Sequence, residues 1–239
     1  MELPIHDLTK IDQTVLKLTV VTLGLLMVTG LYFFAQSEDV NLRIQEEDGL
    51  LEYLTALFFM GAGVIFLHAM ISEKSKVREK LSDYRIILIL LGILCIFAGL
   101  EEISFGQRLI GWDSPEYFED NSSQEETDFH NFEGLSLVFG VAAMALILYG
   151  VIVPYGFWKI PKKFSWFRKP FGISMIYPPI QCSLFLAIGI LCIFIDVGSK
   201  TILGNQFVAN EYQEYLFGYG FLIFSLYLSD DRYRKQYES

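Results

Sequence analysis

Histidine is scarce in this chain: His6, His68 and His130 are the only three in 239 residues. That excludes the histidine-rich boxes of membrane di-iron desaturases. Cysteine is scarce too. Cys95, Cys182 and Cys192 are odd in number, fit no zinc or disulfide spacing, and lie inside apolar runs, so they read as small buried apolar residues. HExxH, GxSxG and the P-loop are all missing. Charge is sparse as well, at 19% of residues, and basic residues are outnumbered 18 to 28. No Lys/Arg stripe with interleaved aromatics is found, so nucleic acid is not an expected partner.

What the chain has instead is apolar residues, 53% of the total, with a mean hydropathy of +0.40. They are gathered into runs about as long as a bilayer is thick; crossing ~30 Å of hydrocarbon takes ~20 mostly apolar residues. The runs are Leu18–Ala35, Leu50–Ile71, Ile86–Leu100, Leu135–Val153, Ile180–Val197 and Glu211–Leu228. The first is longer than a usual signal-peptide core, and Phe33-Phe34-Ala35 lacks the small residue a cleavage site wants three positions back. It therefore reads as an uncleaved span. The sequence predicts an all-α membrane protein, a six-helix bundle spanning 1–239 as one polytopic domain, with one long loop at 101–134.

Orientation follows from Lys and Arg, which favour the cytoplasmic side. A six-span layout puts 15 of the 18 basic residues on one side, leaving only Arg43, Arg108 and Lys200 elsewhere. An odd span count would scramble that segregation. Both termini are thus expected in the cytoplasm, and Trp158 and Trp166 flank an inner basic loop as interfacial aromatics do. The acids do the reverse: 19 of 28 fall on the outer side or at outer helix ends. For most of them a solvated loop surface is explanation enough.

A few carboxylates lie too deep for that. The third run offers 15 apolar residues before Glu101-Glu102. At 1.5 Å per residue that is ~22 Å, short of the ~30 Å core. Glu52 lies two residues into the second run, and Glu211 and Glu214 open the last. Ionisable groups at such depth usually face a bundle interior or a wet cavity. Adjacent Glu101 and Glu102 point ~100° apart, so one of them is expected to face the centre. If the helix continues past them, Glu101, Ser104 and Arg108 share a face, with Gln107 adjacent.

The long loop adds two predicted helix starts. Asp113-Ser114-Pro115-Glu116 offers a capping residue, Pro at the first helical position and an acid. Ser123-Gln124-Glu125-Glu126 fits a capping box, and its helix would set Glu126 and His130 one turn apart on one face. Glu52, Glu102, Glu126, His130 and Glu214 form the candidate ligand set for a divalent metal ion; oxygen donors with one imidazole suit Mg, Ca, Mn or Zn. Glu101, Glu102, Arg108 and His130 are the candidate catalytic residues, with Arg108 orienting an anionic group.

Three segments carry a resemblance: Glu47-Asp48-Gly49 with Glu52, Glu101-Glu102-Ile103-Ser104-Phe105-Gly106-Gln107-Arg108, and Glu126 with His130-Asn131. They resemble the EDGxxE, EExS-aromatic-GQR and ExxxHN segments of a group of uncharacterised bacterial multipass membrane proteins. The resemblance covers roughly residues 45–135 and implies a bacterial inner membrane; it carries no activity. The residues themselves suggest a metal-dependent hydrolase or transferase acting on a lipid or lipid-linked substrate at the periplasmic face. The competing expectations are a cation-binding transporter, channel or sensor, and a structural subunit of an envelope complex or homo-oligomer. Almost wholly apolar span centres weigh against conduction within one subunit.

Overall fold

The computed structural model describes residues 50–71, 82–122, 127, 129, 135, 138, 141, 145, 148–152, 176–179, 182, 183, 185–192 and 209–228. All of them belong to the compact unit Asp48–Ser239. Regular structure among them is helical, with no strand. Helix α1 is Leu50–Ile71, and α2 is Arg85–Glu101, entered through a 3₁₀ turn at Ser82–Tyr84. Two single turns follow, α3 at Gln107–Ile110 and α4 at Glu116–Glu119. Leu148–Ile152 is a π-helical turn, residues 185–192 are helical, and α5 is Ala209–Tyr227.

Apolar run and helix coincide closely in three cases. The runs 50–71, 86–100 and 211–228 correspond to α1, α2 and α5, each within two residues at either end. The runs 135–153 and 180–197 contain helical residues where they are described, while 18–35 lies outside the described residues. Two stretches, Leu51–Ile71 and Ser82–Glu101, are long and apolar enough to cross a membrane, both with hydropathy 2.1.

Glycines set how these helices meet. A Cβ on Gly63 would fall 2.6 Å from Ile96 Cγ1 and 2.7 Å from the Gly92 carbonyl oxygen; one on Gly99 would fall 2.8 Å from the Ala56 carbonyl oxygen. Small residues thus let the α1 and α2 backbones approach closely. Gly63 faces Gly92 and Ala56 faces Gly99, so the two helices are antiparallel. On the other side of α1, a Cβ on Gly218 would lie 3.2 Å from the Thr55 carbonyl oxygen. Tyr215 meets Phe58 at a tilt (5.2 Å between centroids, 59° between planes) and Phe224 meets Phe66 edge-on at 5.2 Å. Residue numbers rise together along this pair, so α1 and α5 are parallel. The segment 185–192 packs on the far side of α5: a Cβ on Gly189 would lie 2.6 Å from Phe217 Cε1, and Phe185 meets Tyr219 edge-on at 5.0 Å.

The exposed faces of α1 and α2 are mostly apolar, with polar His68 and Arg85 at one end. The large apolar residues there are Leu57, Val64 and Ile71 on α1, and Ile86, Leu90, Ile93, Leu94 and Phe97 on α2. The buried faces carry large apolar residues such as Phe59, Phe66, Met70 and Leu88 together with small or polar ones, Thr55, Gly92, Gly99 and Glu101. A helix facing water carries polar side chains on its exposed face instead.

Candidate functional site

The register just described determines which carboxylates share an end of the bundle. From the Ala56–Gly99 contact, one turn back along α1 reaches Glu52. The antiparallel register leads on the partner helix to Ile103, inside the Glu101–Ser104 corner. From the Thr55–Gly218 contact, one turn back on both helices reaches Leu51 and Glu214. Glu52, Glu101, Glu102 and Glu214 therefore stand at the same end of α1, α2 and α5. Glu52, Glu102 and Glu214 are half-buried, and Glu101 is only 6% exposed. Of the two adjacent acids, Glu101 is the one turned inward.

Glu101 ends α2, where the negative pole of the helix dipole disfavours a carboxylate. Its side chain accepts the backbone N–H of Phe129, at 3.2 Å on Oε1 and 3.1 Å on Oε2. Six residues on, Gln107 does a parallel job. Its Oε1 accepts the backbone N–H of Thr127 at 3.0 Å. Gln107 Nε2 donates to Ser114 Oγ at 2.8 Å, and Ser114 Oγ lies 3.0 Å from Gln107 Oε1 as a donor. Thr127 Oγ1 completes the cluster, donating to Ser114 Oγ at 3.4 Å. Two backbone N–H groups of one loop segment are thus held by two side chains from the corner after α2.

That corner departs from the expected helix. The chain leaves α2 at Glu101, and Ser104, Phe105 and Gly106 all take positive φ, at 46°, 53° and 79°. Left-handed backbone costs an L-residue roughly 1–2 kcal/mol, and a bulky side chain there marks a constrained site. The expected common face of Glu101, Ser104 and Arg108 presumes a continuous helix, and the left-handed turn removes it. Ser104 is buried in the turn itself. Ring packing holds the strain: Phe105 lies 5.8 Å from Phe97 and 6.2 Å from Phe129, and Phe129 also meets Phe97 at 6.1 Å and Phe118 at 5.4 Å.

Two further loop expectations are corrected. Thr127 and Phe129 are bends, so the helix expected from the Ser123 capping box does not run through them. Their N–H groups are bonded by Gln107 and Glu101, side chains from elsewhere in the chain, rather than by helical carbonyls. The second helix start does form at Glu116, but Pro115 is its cap with ψ 139° rather than its first helical residue, and no side chain caps it. The Ser114 hydroxyl is spent on Gln107 instead.

Glu126 and His130 lie outside the described residues, as do the side chains of Arg108 and Glu211. Among the described residues no three His, Cys, Asp or Glu come together to hold a metal ion. Glu52, Glu102 and Glu214 share an end without forming such a cluster. The residues the sequence underrated are Gln107, Ser114, Thr127 and Phe129. Their one visible mark is Gln107 beside Gly106, where a glycine signals a break in the helix. Compared with protein-family models, with curated proteins and with solved structures, the chain gives no match.

Proposed function

We propose that the chain is an integral protein of a bacterial inner membrane, six-spanning with both termini cytoplasmic, whose periplasmic end carries a carboxylate-lined site. Support for the membrane comes from the exposed faces of α1 and α2, which carry large apolar residues along most of their length, with exposed His68 and Arg85 confined to one end. A water-soluble bundle would carry polar side chains along those faces. Support for the site comes from one observation above the others: two polar residues of the corner segment, Glu101 and Gln107, accept the backbone N–H groups of Phe129 and Thr127. Glu126 and His130 are the chain neighbours of those anchored residues.

The chemistry that fits is a hydrolase or transferase acting on a lipid or lipid-linked substrate. In it Glu101 is a positioning residue, because its oxygens already hold Phe129. Glu52, Glu102, Glu126, His130 and Glu214 supply acid–base or divalent-metal chemistry, and Arg108 orients an anionic group. The resemblance to uncharacterised multipass proteins rests on the same three segments. Metal analysis of the purified protein in nanodiscs, with melting curves in added Mn²⁺, Zn²⁺, Mg²⁺ or Ca²⁺, tests this. Bound metal or a stabilising shift that is lost in Glu102→Gln and His130→Ala is the expected result. Wild-type and variant proteins alike in metal content and melting would overturn the metal role.

The second reading, a cation-binding transporter or sensor, draws on the same acidic end. Ion flux into liposomes abolished by Glu52→Gln and Glu214→Gln would favour it over the enzyme.

A further inference from the structure

Helix α3 is a single turn bracketed by two left-handed glycines, Gly106 at φ 79° and Gly111 at φ 75°. It presents the most exposed large apolar side chain among the described residues, Ile110 at 78%, with Leu109 beside it and Tyr117 exposed on α4. This is not a loose tip. Gln107 is tied to Ser114 and Thr127, and the N–H groups of Gly111 and Trp112 return to the Gln107 carbonyl at 2.8 and 3.3 Å. A rigid mount that holds Leu, Ile and Tyr outward amid exposed Asp113, Glu116 and Asp120 needs an apolar neighbour.

Two observations say which neighbour. The first is length. The apolar part of α2, Ile86–Leu100, covers about 22 Å of a ~30 Å core. The chain therefore reaches its corner while still at the edge of the hydrocarbon. The second is continuity. The outward apolar stripe of α2 ends at Phe97, whose ring meets Phe129 at 6.1 Å; Phe129 meets Phe118 at 5.4 Å, and Phe118 meets Tyr117 at 6.2 Å. Rings thus follow one another from the side of α2 to α4, exposed at Phe97, Phe129 and Tyr117 and half-buried at Phe118. Tyr and Trp favour the headgroup level of a bilayer, and Tyr117 and Trp112 sit there in this arrangement.

We propose that the corner at residues 105–118 is a foot that rests in the bilayer interface: Leu109, Ile110 and Tyr117 enter the headgroup–acyl boundary of the leaflet around the Glu101 end of α2. The inference rests on the membrane reading above and adds to it a segment that does not span. Its consequence is a short path for lipid. The same corner that holds the 127–129 segment touches the leaflet, so a lipid or lipid-linked substrate reaches the acidic end without leaving the membrane.

The experiment uses the full chain in liposomes, with Cys95, Cys182 and Cys192 replaced by serine. An environment-sensitive fluorophore is attached at Ile110→Cys, at Leu94→Cys or at Asp120→Cys, all three exposed positions. Quenching is read with nitroxide lipids labelled near the glycerol backbone or near the acyl-chain middle, and with aqueous iodide. The foot requires Ile110 to be blue-shifted, quenched by the shallow nitroxide more than the deep one, and protected from iodide. Leu94 should follow the deep nitroxide and Asp120 should follow iodide. An Ile110 label quenched by iodide like Asp120 overturns the foot. One shielded from lipid and iodide alike also overturns it and points to a second copy or a partner protein as the cover. A Leu94 label that no nitroxide lipid quenches overturns the membrane reading itself, and the foot with it.

Discussion

The carboxylate of Glu101, at the last residue of α2, accepts the backbone N–H of Phe129 twenty-eight positions further along, through both oxygens at 3.2 and 3.1 Å. A carboxylate at that helix end is disfavoured by the dipole, so its retention there reflects what it holds. Glu101→Ala leaves a part-buried N–H without this acceptor, which costs about 1–3 kcal/mol. Thermal or denaturant melting in nanodiscs should show that loss, and Glu101→Gln, which keeps an acceptor oxygen, should recover most of it. Equal melting of wild type and Glu101→Ala would show that the contact contributes nothing.

The α1–α2 contact makes a sharp distinction between two glycines, Gly61 and Gly63, two residues apart on the same helix. A Cβ at Gly63 meets the Gly92 backbone at 2.7 Å, whereas at Gly61 it meets only Leu222 Cδ1 at 3.5 Å. Gly63→Ala must push the helices apart and should cost about 1–3 kcal/mol, as overpacked sites do. Gly61→Ala should be neutral or gain up to about 1 kcal/mol from helix propensity. Melting of the two variants side by side is the check.

Gly111 closes α3 at φ 75°, with nothing within 4 Å of where a Cβ would lie. Its replacement is therefore a backbone test without a steric one. Gly111→Ala should lose about 1–2 kcal/mol through the left-handed conformation. Gly111→Asn should lose less, since Asn tolerates that region. Indistinguishable alanine and asparagine variants would contradict the conformational explanation.

Leu94 separates the membrane from the aqueous reading of α2. It is 61% exposed and lies near the middle of the helix. In a soluble bundle an exposed Leu→Lys change stays within about 0.5 kcal/mol; at the centre of a membrane span it costs about 2.5–3.5 kcal/mol. Insertion efficiency of α2 in a translocation assay, wild type against Leu94→Lys, should fall accordingly.

Much of the helical layout was legible because long unbroken apolar runs without Pro leave helix as the structure that pairs every backbone group within the run. Leu50–Ile71 was matched residue for residue, and Arg85–Glu101 within one residue at each end. The corner was not legible. Gly106 announces one left-handed residue, but nothing local extends that conformation to Ser104 and Phe105, and the rings that hold Phe105 come from Phe97 and Phe129, far apart in sequence. Thr127 and Phe129 misled in a different way. Their local pattern reads as helix, but the partners of their N–H groups, Gln107 and Glu101, lie 20 and 28 residues upstream, beyond any local rule. The shared end of Glu52, Glu101, Glu102 and Glu214 was approachable from depth alone, while the register that brings them level depends on glycine contacts that only packing reveals.

That shared end is the centre of the functional proposal, and one cross-link tests it most directly. Glu52→Cys paired with Glu214→Cys, in a chain whose native cysteines are serine, is treated in membranes with a short bifunctional thiol reagent. A Glu52→Cys/Leu226→Cys pair, drawn from the opposite end of α5, serves as comparison. Rapid intramolecular linkage of 52 to 214, with none of 52 to 226, is the expected result. Linkage of 52 to 226, or none at 52–214, would contradict the convergence of these carboxylates at one end of the bundle.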